Sequence, residues 1–327
     1  MASIRQRGTK WQARILRDGY PAQNRTFPSR AQAEQWARAI EAQMDRGTFT
    51  DVGEAQRTTL GDIVLRYVRE VTPTMRSARD ERIRLNALAR RPIARYSIAN
   101  LTASRVAEYR DERLREVSAG TVIRDLAYLS AVINHARREW GINVQNPVTL
   151  VRKPPAPAGR SRVLSADERS ALLTALEPTG RRSPWLKPIV VLALETAMRR
   201  GELLSLRWQH VHLKQQLAVL PTTKNGDSRS VPLSTTAVKV LEALPRSSNG
   251  VVFPMKACSV DAAFKRAMKR AGLVNFRFHD LRHTAITAMA EKLPNIIELS
   301  AVSGHRSLSM LKRYYHPAPS DLARKLG

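Results

Sequence analysis

Apolar side chains recur every three or four residues through most of the stretch 57–145, and this periodicity constrains the fold more than any other feature of the chain. It predicts four amphipathic helices, each with a serine or threonine at or near its start that can cap it. The predicted helices are Leu60–Val71, Ala78–Ala89, Ala103–Val117 and Ala119–Trp140. We therefore expect a compact helical module over residues 56–150.

Residues 1–50 have a different pattern. Trp11–Arg17 alternates apolar and polar side chains for most of its length, which is typical of a half-buried strand, and an Asp-Gly pair then supplies a turn. Tyr20–Phe27 can return as the next strand, and Ala31–Asp45 has apolar residues at helical spacing. We expect a three-stranded sheet with one helix, followed by a linker over Gly47–Ala55.

The third zone, residues 163–327, mixes helices with a small sheet. Ser165 to Glu168 forms a capping box that opens a helix, and Trp185–Met198 is strongly apolar. Gln216–Leu220 and Ser230–Leu233 are predicted strands that flank a loop, and helices resume from Val260. The fold class predicted for the whole chain is mainly α with small β-sheets (α+β).

Basic residues outnumber acidic ones by 55 to 28, which gives a formal net charge of +27. The excess extends over all three zones, as expected for a large basic surface rather than a basic tail. Such a surface binds a polyanion with strong salt dependence, because each neutralised phosphate releases condensed counterions. An Arg-rich composition can reflect a GC-rich genome, but this does not explain the excess of bases over acids. Nucleic acid is favoured over an anionic membrane.

A proline-rich linker covers residues 151–162. Prolines alternate with small residues from Lys153 to Arg160, which makes the segment extended and semi-rigid. Its basic side chains are those expected of a linker that crosses a DNA backbone, and a merely solvated linker explains them equally well. These basic residues are Arg152, Lys153, Arg160 and Arg162.

Cysteine content and hydropathy bear on the compartment. Cys258 is the single cysteine, so an intrachain disulfide is impossible, which fits a reducing cytosol. The sequence shows no N-terminal apolar run with a basic flank and no run of about 18 apolar residues. We expect a cytoplasmic protein with no membrane partner.

The third zone also contains cations, imidazoles and tyrosines that indicate little one by one. Arg199 and Arg200 follow an apolar helix, where a charged pair ordinarily faces solvent. His279 and Arg282 are three residues apart, a spacing that puts both on one helical face. The remaining members of this set are Lys224 in a turn-rich segment, His305 after a glycine, and the adjacent Tyr314 and Tyr315. A tyrosine pair more often belongs to a core or an interface than to a reactive site.

Taken together, these residues lie in motifs that resemble the catalytic domain of tyrosine recombinases, the phage integrase group. The motifs are Thr-x-Met-Arg-Arg-Gly-Glu-Leu-Leu, Thr-Lys-Asn-Gly-x-Ser-Arg, His-Asp-Leu-Arg-His-Thr, Gly-His and Arg-Tyr-Tyr-His. The resemblance covers residues 163–318 and implies a catalytic domain over 163–327. Residues 1–50 resemble, less closely, the arm-type DNA-binding domain of some integrases, and residues 56–150 resemble their helical core-binding domain.

The resemblance implies a site-specific recombinase that cuts and rejoins DNA through a 3′-phosphotyrosyl intermediate, to integrate or excise a mobile element such as a prophage. It implies Tyr314 as the nucleophile, because Tyr314 lies nine residues after His305 and two before His316, the intervals usual in the family. Tyr315 is the alternative nucleophile. A tyrosine has an ordinary pKa near 10, so it must be activated by cations or lose its proton during attack.

The resemblance also assigns the other roles. Arg199 and Arg282 would clamp the non-bridging phosphate oxygens, a task suited to a planar and permanently charged guanidinium. Lys224 would protonate the departing 5′-oxygen, His279 would act as general acid and base, and His305 would hydrogen-bond the phosphate.

Two positions depart from the family pattern. Ala197 stands where the family commonly has Gly, and Ser303 stands where it commonly has Leu. We interpret both as packing positions that affect fine geometry rather than the set of reactive groups. Glu202 is expected to support Arg199.

Three other classes compete with this interpretation. His279 and His283 have the spacing of a zinc metalloprotease helix, but that helix needs Glu where Asp280 stands and would put Arg282 beside a dication. We expect neither a metal nor another cofactor, because the cations needed are side chains. A type IB topoisomerase shares the same chemistry, and a catalytically inactive DNA-binding relative is the third class. The arm-like first zone and the complete set of reactive residue types favour an integrase.

The partners implied by the resemblance are double-stranded DNA with attachment sites and a homotetramer assembled on two such sites. Residues 318–327 would dock on a neighbouring protomer. An excisionase and a host DNA-bending protein are the accessory partners that the resemblance suggests.

Overall fold

The structure is a computed structural model, and it describes residues 2–49, 51, 53–180, 182–221, 228–305, 307–315 and 319–327. Helices dominate and two small antiparallel sheets accompany them, so the predicted fold class is confirmed. The chain divides into two compact units, Met1–Ala158 and Gly159–Gly327. The first unit contains β1 (Ala2–Arg7), β2 (Lys10–Ile15), β3 (Gln23–Phe27), α1 (Arg30–Asp45), α2 (Gly53–Arg57), α3 (Leu60–Glu70), α4 (Ala78–Ala89), α5 (Ala103–Glu116) and α6 (Ala119–Glu139). The second contains α7 (Ala166–Ala175), α8 (Leu186–Thr196), α9 (Arg200–Leu204), β4 (Val211–His212), β5 (Leu217–Leu220), β6 (Arg229–Pro232), α10 (Thr235–Glu242), α11 (Ala257–Arg270), α12 (Asp280–Lys292), α13 (Ile296–Ser303) and α14 (Pro319–Leu326).

The first three strands form one antiparallel sheet in the order β1-β2-β3, against which α1 packs. The helix begins after Ser29, whose side chain accepts a hydrogen bond from the Gln32 amide. Ile15 from the sheet is buried with Ala37 and Met44 from the helix. Because side chains alternate along a strand, the other face of the sheet carries the polar residues.

The helical part of the first unit follows the apolar periodicity closely. The ends of α3, α4, α5 and α6 lie within one residue of the predicted ones. The residue that caps α3 is Thr59, and it forms a capping box with Asp62. The predicted linker over residues 47–55 is wrong at its end, since α2 starts at Gly53. Ala55 is buried in the helical core, which explains why this segment folds onto the helices.

The second unit surrounds the apolar helix α8, whose residues are mostly buried. Ser165 and Glu168 form the predicted capping box at the start of α7. Strand β5 starts one residue later than predicted and ends at the predicted residue, and β6 lies one residue earlier than predicted. The sheet has the order β4-β5-β6. Three elements of this unit were not predicted from the sequence: β4, α9 and α10. They are two, five and eight residues long and too short for a clear period.

No helix in the part of the chain that the structure describes is long and apolar enough to cross a membrane.

Candidate active site

The site begins where α8 ends. Ala197 has φ 52° and ψ 20°, the left-handed conformation that costs a residue with a Cβ about 1–2 kcal/mol. The turn directs the Ala197 carbonyl to Arg282, whose Nη1 donates a hydrogen bond to it. Ala197 is also fully buried. The position is therefore set by backbone conformation as well as by packing, which corrects the interpretation of Ala197 as a packing position alone.

Arg199 follows this turn and is held by Glu202. The Arg199 amide donates to Glu202 Oε2 at 2.9 Å, and its Nη1 donates to Glu202 Oε1 at 2.7 Å. The support expected from Glu202 is thus present. Glu202 is only 7% exposed, so its charge needs partners inside the protein.

Arg229 is a second partner of Glu202, and the sequence analysis assigned it no role. Its Nη2 donates to Glu202 Oε2 at 2.9 Å, and its Nη1 donates to the Val302 carbonyl at 2.6 Å. Gly304 makes room for it, because a Cβ there would lie 2.8 Å from Arg229 Nε. Arg229 thus joins β6 to α9 and to the end of α13. Its place at the end of the Thr-Lys-Asn-Gly-x-Ser-Arg motif was the available signal.

Arg282 lies in the first turn of α12 and is 4% exposed. Its Nη2 donates to the Ser303 carbonyl at 2.6 Å, so two carbonyls from distant segments hold one guanidinium. Burial, and next the charge of Arg199, lower the pKa of Arg282 to about 10. The side chain therefore stays protonated at neutral pH.

The charges of this cluster do not balance. Three guanidiniums, those of Arg199, Arg229 and Arg282, interact with one buried carboxylate, Glu202. Burial alone would raise the pKa of Glu202, but its bonds to Arg199 and the charge of Arg229 outweigh this and lower it. The carboxylate is ionised at pH 7, and the cluster still has excess positive charge. It therefore favours an anion such as a phosphate.

His305 lies next to the cluster. Burial, and then the charges of Arg282 and Arg199, lower its pKa to about 4, so the ring is neutral at pH 7. Its Nδ1 is 2.8 Å from Ser303 Oγ, and Ser303 is fully buried. The serine therefore holds the ring, which corrects the interpretation of Ser303 as a packing position.

His279 and His283 lie one turn apart at the start of α12. His279 precedes the first helical residue and is exposed, and its ring lies edge-on to that of His283 at 5.4 Å between centroids. Partial burial, the neighbouring His279 and the Arg313 charge lower the pKa of His283. From the sequence, His283 was considered only as a zinc ligand. Among the described residues, no three His, Cys, Asp or Glu side chains are grouped to hold a metal ion.

The two tyrosines have different surroundings. Tyr314 Oη lies 2.5 Å from His283 Nδ1, and the two rings stack with 6.0 Å between centroids. Tyr315 instead donates its hydroxyl to the Leu293 carbonyl at 2.5 Å. Burial raises the pKa of Tyr314, and the charges of Arg313 and Arg282 only partly offset this. Tyr314 is thus the tyrosine whose hydroxyl contacts a histidine, His283.

The structure brings together five of the six predicted site residues: Arg199, His279, Arg282, His305 and Tyr314. The sixth, Lys224, lies outside the described residues, as does His316.

Two of the linker arginines have partners within the second unit. Arg160 binds the buried Asp280 through Nε at 3.1 Å and Nη2 at 2.7 Å, and it also bonds Asn275. Arg162 pairs with Glu168. The interpretation of the linker as merely solvated is wrong for these two side chains, since both have partners in the protein, whereas the crossing of a DNA backbone stays a prediction. Arg160 instead attaches the chain beside His279.

Comparisons with known proteins agree with this architecture. Residues 162–321 match the model of the phage integrase family, and residues 56–153 match that of the phage integrase N-terminal domain. A shufflon-specific DNA recombinase of Escherichia coli is 40% identical over 83% of this chain and 72% of its own. A Haemophilus influenzae protein described as an integrase/recombinase is 35% identical over 97% of this chain and 87% of its own. A lambda integrase dimer bound to a COC′ core site has the same fold, with a TM-score of 0.65 at 22% identity over 99% of this chain and 95% of that one.

Sequence identities of 35% and 40% over most of both chains show a shared family and not only a shared fold. The chain belongs to the phage integrase family of tyrosine recombinases, enzymes that cut and rejoin DNA strands.

Proposed function

We propose that Tyr314 attacks the scissile phosphate of a DNA attachment site. The step would form a 3′-phosphotyrosine and free a 5′-hydroxyl, and the energy of the broken bond would be kept for religation. Arg199 and Arg282 would hold the non-bridging oxygens of the phosphorane-like transition state. Lys224 would protonate the leaving oxygen, and His279 would act as general acid and base.

His305 is proposed to donate a hydrogen bond to the phosphate. A neutral imidazole has one N–H, so the tautomer decides whether it can donate. Among the described residues, Ser303 Oγ has no hydrogen-bond partner other than His305 Nδ1. If the serine donates there, its buried hydrogen is satisfied and the histidine proton is on Nε2, available to a phosphate oxygen.

The observation that carries this proposal is the environment of Tyr314. Its hydroxyl is half-buried, contacts His283 and lies within the electrostatic reach of Arg282. The hydroxyl of Tyr315 is engaged with a backbone carbonyl instead. This difference supports Tyr314 over Tyr315 as the nucleophile.

A covalent-adduct assay tests the proposal. The full chain is incubated with a nicked duplex carrying an attachment site from the DNA that flanks its gene. We expect a denaturant-resistant adduct from the wild type and from Tyr315→Phe, and none from Tyr314→Phe. No adduct from the wild type would contradict strand cleavage, and an adduct from Tyr314→Phe would contradict the choice of nucleophile. Relaxation of a plasmid that lacks the site would favour the topoisomerase alternative.

We also propose that residues 1–50 bind arm-type DNA sites, residues 56–150 the core site, and residues 163–327 carry out the chemistry. The free face of the first sheet supports the first assignment. This face carries the exposed Arg5 and Arg14, together with Gln12, which pairs with Arg5 across the strands, and Asn24, which pairs with Arg14. The side chains of these four residues have the hydrogen-bond donors that contact bases and phosphates. Arg14→Ala should weaken arm-site binding at low salt, whereas Arg38→Ala on the exposed face of α1 should not.

The assembly we propose is a homotetramer on two DNA sites in the host cytoplasm, with an excisionase and a DNA-bending protein as accessory factors. Integration and excision of a mobile element is the first candidate reaction. The 40% identity to a shufflon-specific recombinase favours a second candidate, recombination at the sites of a shufflon. Two-plasmid assays with the corresponding site pairs separate the two.

A further inference from the structure

The Tyr314 hydroxyl has one hydrogen-bond partner among the residues that the structure describes, and this partner is His283 Nδ1 at 2.5 Å. The rings also stack, with 27° between their planes. Because the rings are stacked, the position of Tyr314 Oη relative to His283 Nδ1 is set by ring packing as well as by the hydrogen bond. His283 is therefore placed on the reacting atom itself.

The protonation states determine the direction of this hydrogen bond. Burial raises the pKa of Tyr314, so the phenol keeps its proton at pH 7. Partial burial and the neighbouring cations lower the pKa of His283, so the imidazole is neutral and one of its nitrogens has a free lone pair. If Nδ1 carried a proton, the phenol hydrogen would have no acceptor among the described residues. The phenol therefore donates to Nδ1, and the histidine proton is on Nε2.

We propose that His283 is a catalytic residue that accepts the Tyr314 proton during strand cleavage. It takes the base part of this step from His279, whose ring has no hydrogen bond to the Tyr314 hydroxyl among the described residues. This inference rests on the proposed function, in which Tyr314 is the nucleophile.

The proton balance of the step is complete. As the bond from Tyr314 Oη to phosphorus forms, the phenol proton passes to His283 Nδ1 and gives an imidazolium. The bond from phosphorus to the 5′-oxygen breaks, and that oxygen takes a proton from Lys224. Religation reverses both transfers, so His283 returns the proton to the departing phenolate. No metal or further reactant enters the balance.

The surroundings of His283 make the transfer depend on bound DNA. The charged and titratable groups that face it are His279, Asp280 and Arg282 on its own helix, Arg313 and Tyr314 on the segment 307–315, and Arg160 before α7. Most of these disfavour an imidazolium in the free protein. A phosphate bound in the site offsets their charge and raises the pKa of His283, so proton acceptance becomes favourable when the substrate is present.

The test distinguishes two roles of His283: a hydrogen bond that positions the Tyr314 hydroxyl, and acceptance of the Tyr314 proton. Asn at position 283 can keep a hydrogen bond to Tyr314 but cannot take the proton, and Ala can do neither. We expect single-turnover adduct formation at pH 7 to fall about 100-fold in both His283→Asn and His283→Ala, with DNA affinity unchanged. The rates of both variants should rise with pH, because hydroxide replaces the missing base. His212→Asn, a change at an exposed histidine far along the chain, should match the wild type.

A substrate with sulfur in place of the bridging 5′-oxygen identifies which transfer is lost. A thiolate leaves without a proton, so this substrate should restore cleavage by Lys224→Ala and leave His283→Asn slow. Restoration of His283→Asn, or a rate within threefold of the wild type on the ordinary substrate, would overturn the proposal. Circular dichroism spectra and melting temperatures establish that each variant is folded. An adduct that survives Tyr314→Phe would instead contradict the proposed function, so the two failures are distinguishable.

Discussion

Replacement of Arg229 by Met tests whether this residue holds the cation cluster together. The change keeps a long apolar side chain and removes the guanidinium, which is 12% exposed and bonds Glu202 and the Val302 carbonyl. Breaking a buried ion pair costs about 3–5 kcal/mol, because one charge remains with too few partners. Glu202 keeps Arg199 as a partner after the change. The buried Nε of Arg229 has no hydrogen-bond partner among the described residues, so its removal offsets about 1 kcal/mol of this loss of stability. The expected net loss is about 2–4 kcal/mol.

Calorimetry of the full chain measures this loss. For a unit of this size, about 3 °C of melting temperature corresponds to 1 kcal/mol, so the melting temperature of the second unit should fall by about 6–12 °C. We also expect adduct formation to slow by about tenfold, since Glu202 can then move and take Arg199 with it.

Arg200→Met is the matched control for this change. Arg200 forms an ion pair with Asp261 whose two side chains are 37% and 53% exposed, so its loss should cost less than about 1 kcal/mol. Equal melting temperatures for the two variants would refute the assignment of a structural role to Arg229.

Three further predictions concern the same cluster. Gly304→Ala should destabilise the protein by about 2–3 kcal/mol, because φ is +69° and the new Cβ would lie 2.8 Å from Arg229 Nε; unchanged thermal unfolding would contradict this. His305 should make the protein less stable as pH falls from 6.5 towards 4: its pKa is about 4 in the folded chain and near 6.5 when unfolded, so the unfolded chain binds more protons in this window. The effect should be on the order of 1 kcal/mol, and His305→Gln should flatten the pH dependence of urea unfolding. Ser303→Ala should slow cleavage by about tenfold and let the His305 proton move between the two ring nitrogens, which two-bond ¹⁵N–¹H correlation spectra detect. Ser303→Thr keeps the hydroxyl and should restore both the cleavage rate and the single tautomer.

The helices of the first unit were predictable because their signal is local. The ends of α4 coincide with those predicted, and α5 and α6 each end one residue early. An amphipathic helix repeats the same environment every turn, so its pattern can be read without knowledge of its neighbours. Short elements repeat the pattern too few times to be recognised, and α2, α9, α10 and β4 were missed for this reason.

The motifs of the second unit predicted which reactive residue types the site contains, but not how they are connected. Arg282 meets the Ala197 carbonyl across 85 residues, His283 meets Tyr314 across 31, and Arg229 meets Glu202 across 27.

By itself the sequence determined the helical periodicity, the excess of basic charge and the order of the catalytic motifs, because each of these depends on residue type and spacing along the chain. The tertiary structure alone decided that Ala197 adopts a left-handed turn, that Arg229 shares Glu202 with Arg199, and that His283 rather than a backbone carbonyl meets Tyr314. The two contacts depend on how β6 lies against α9 and how α12 lies against the segment 307–315. Residues so far apart in the chain leave no periodic pattern that could reveal their contact.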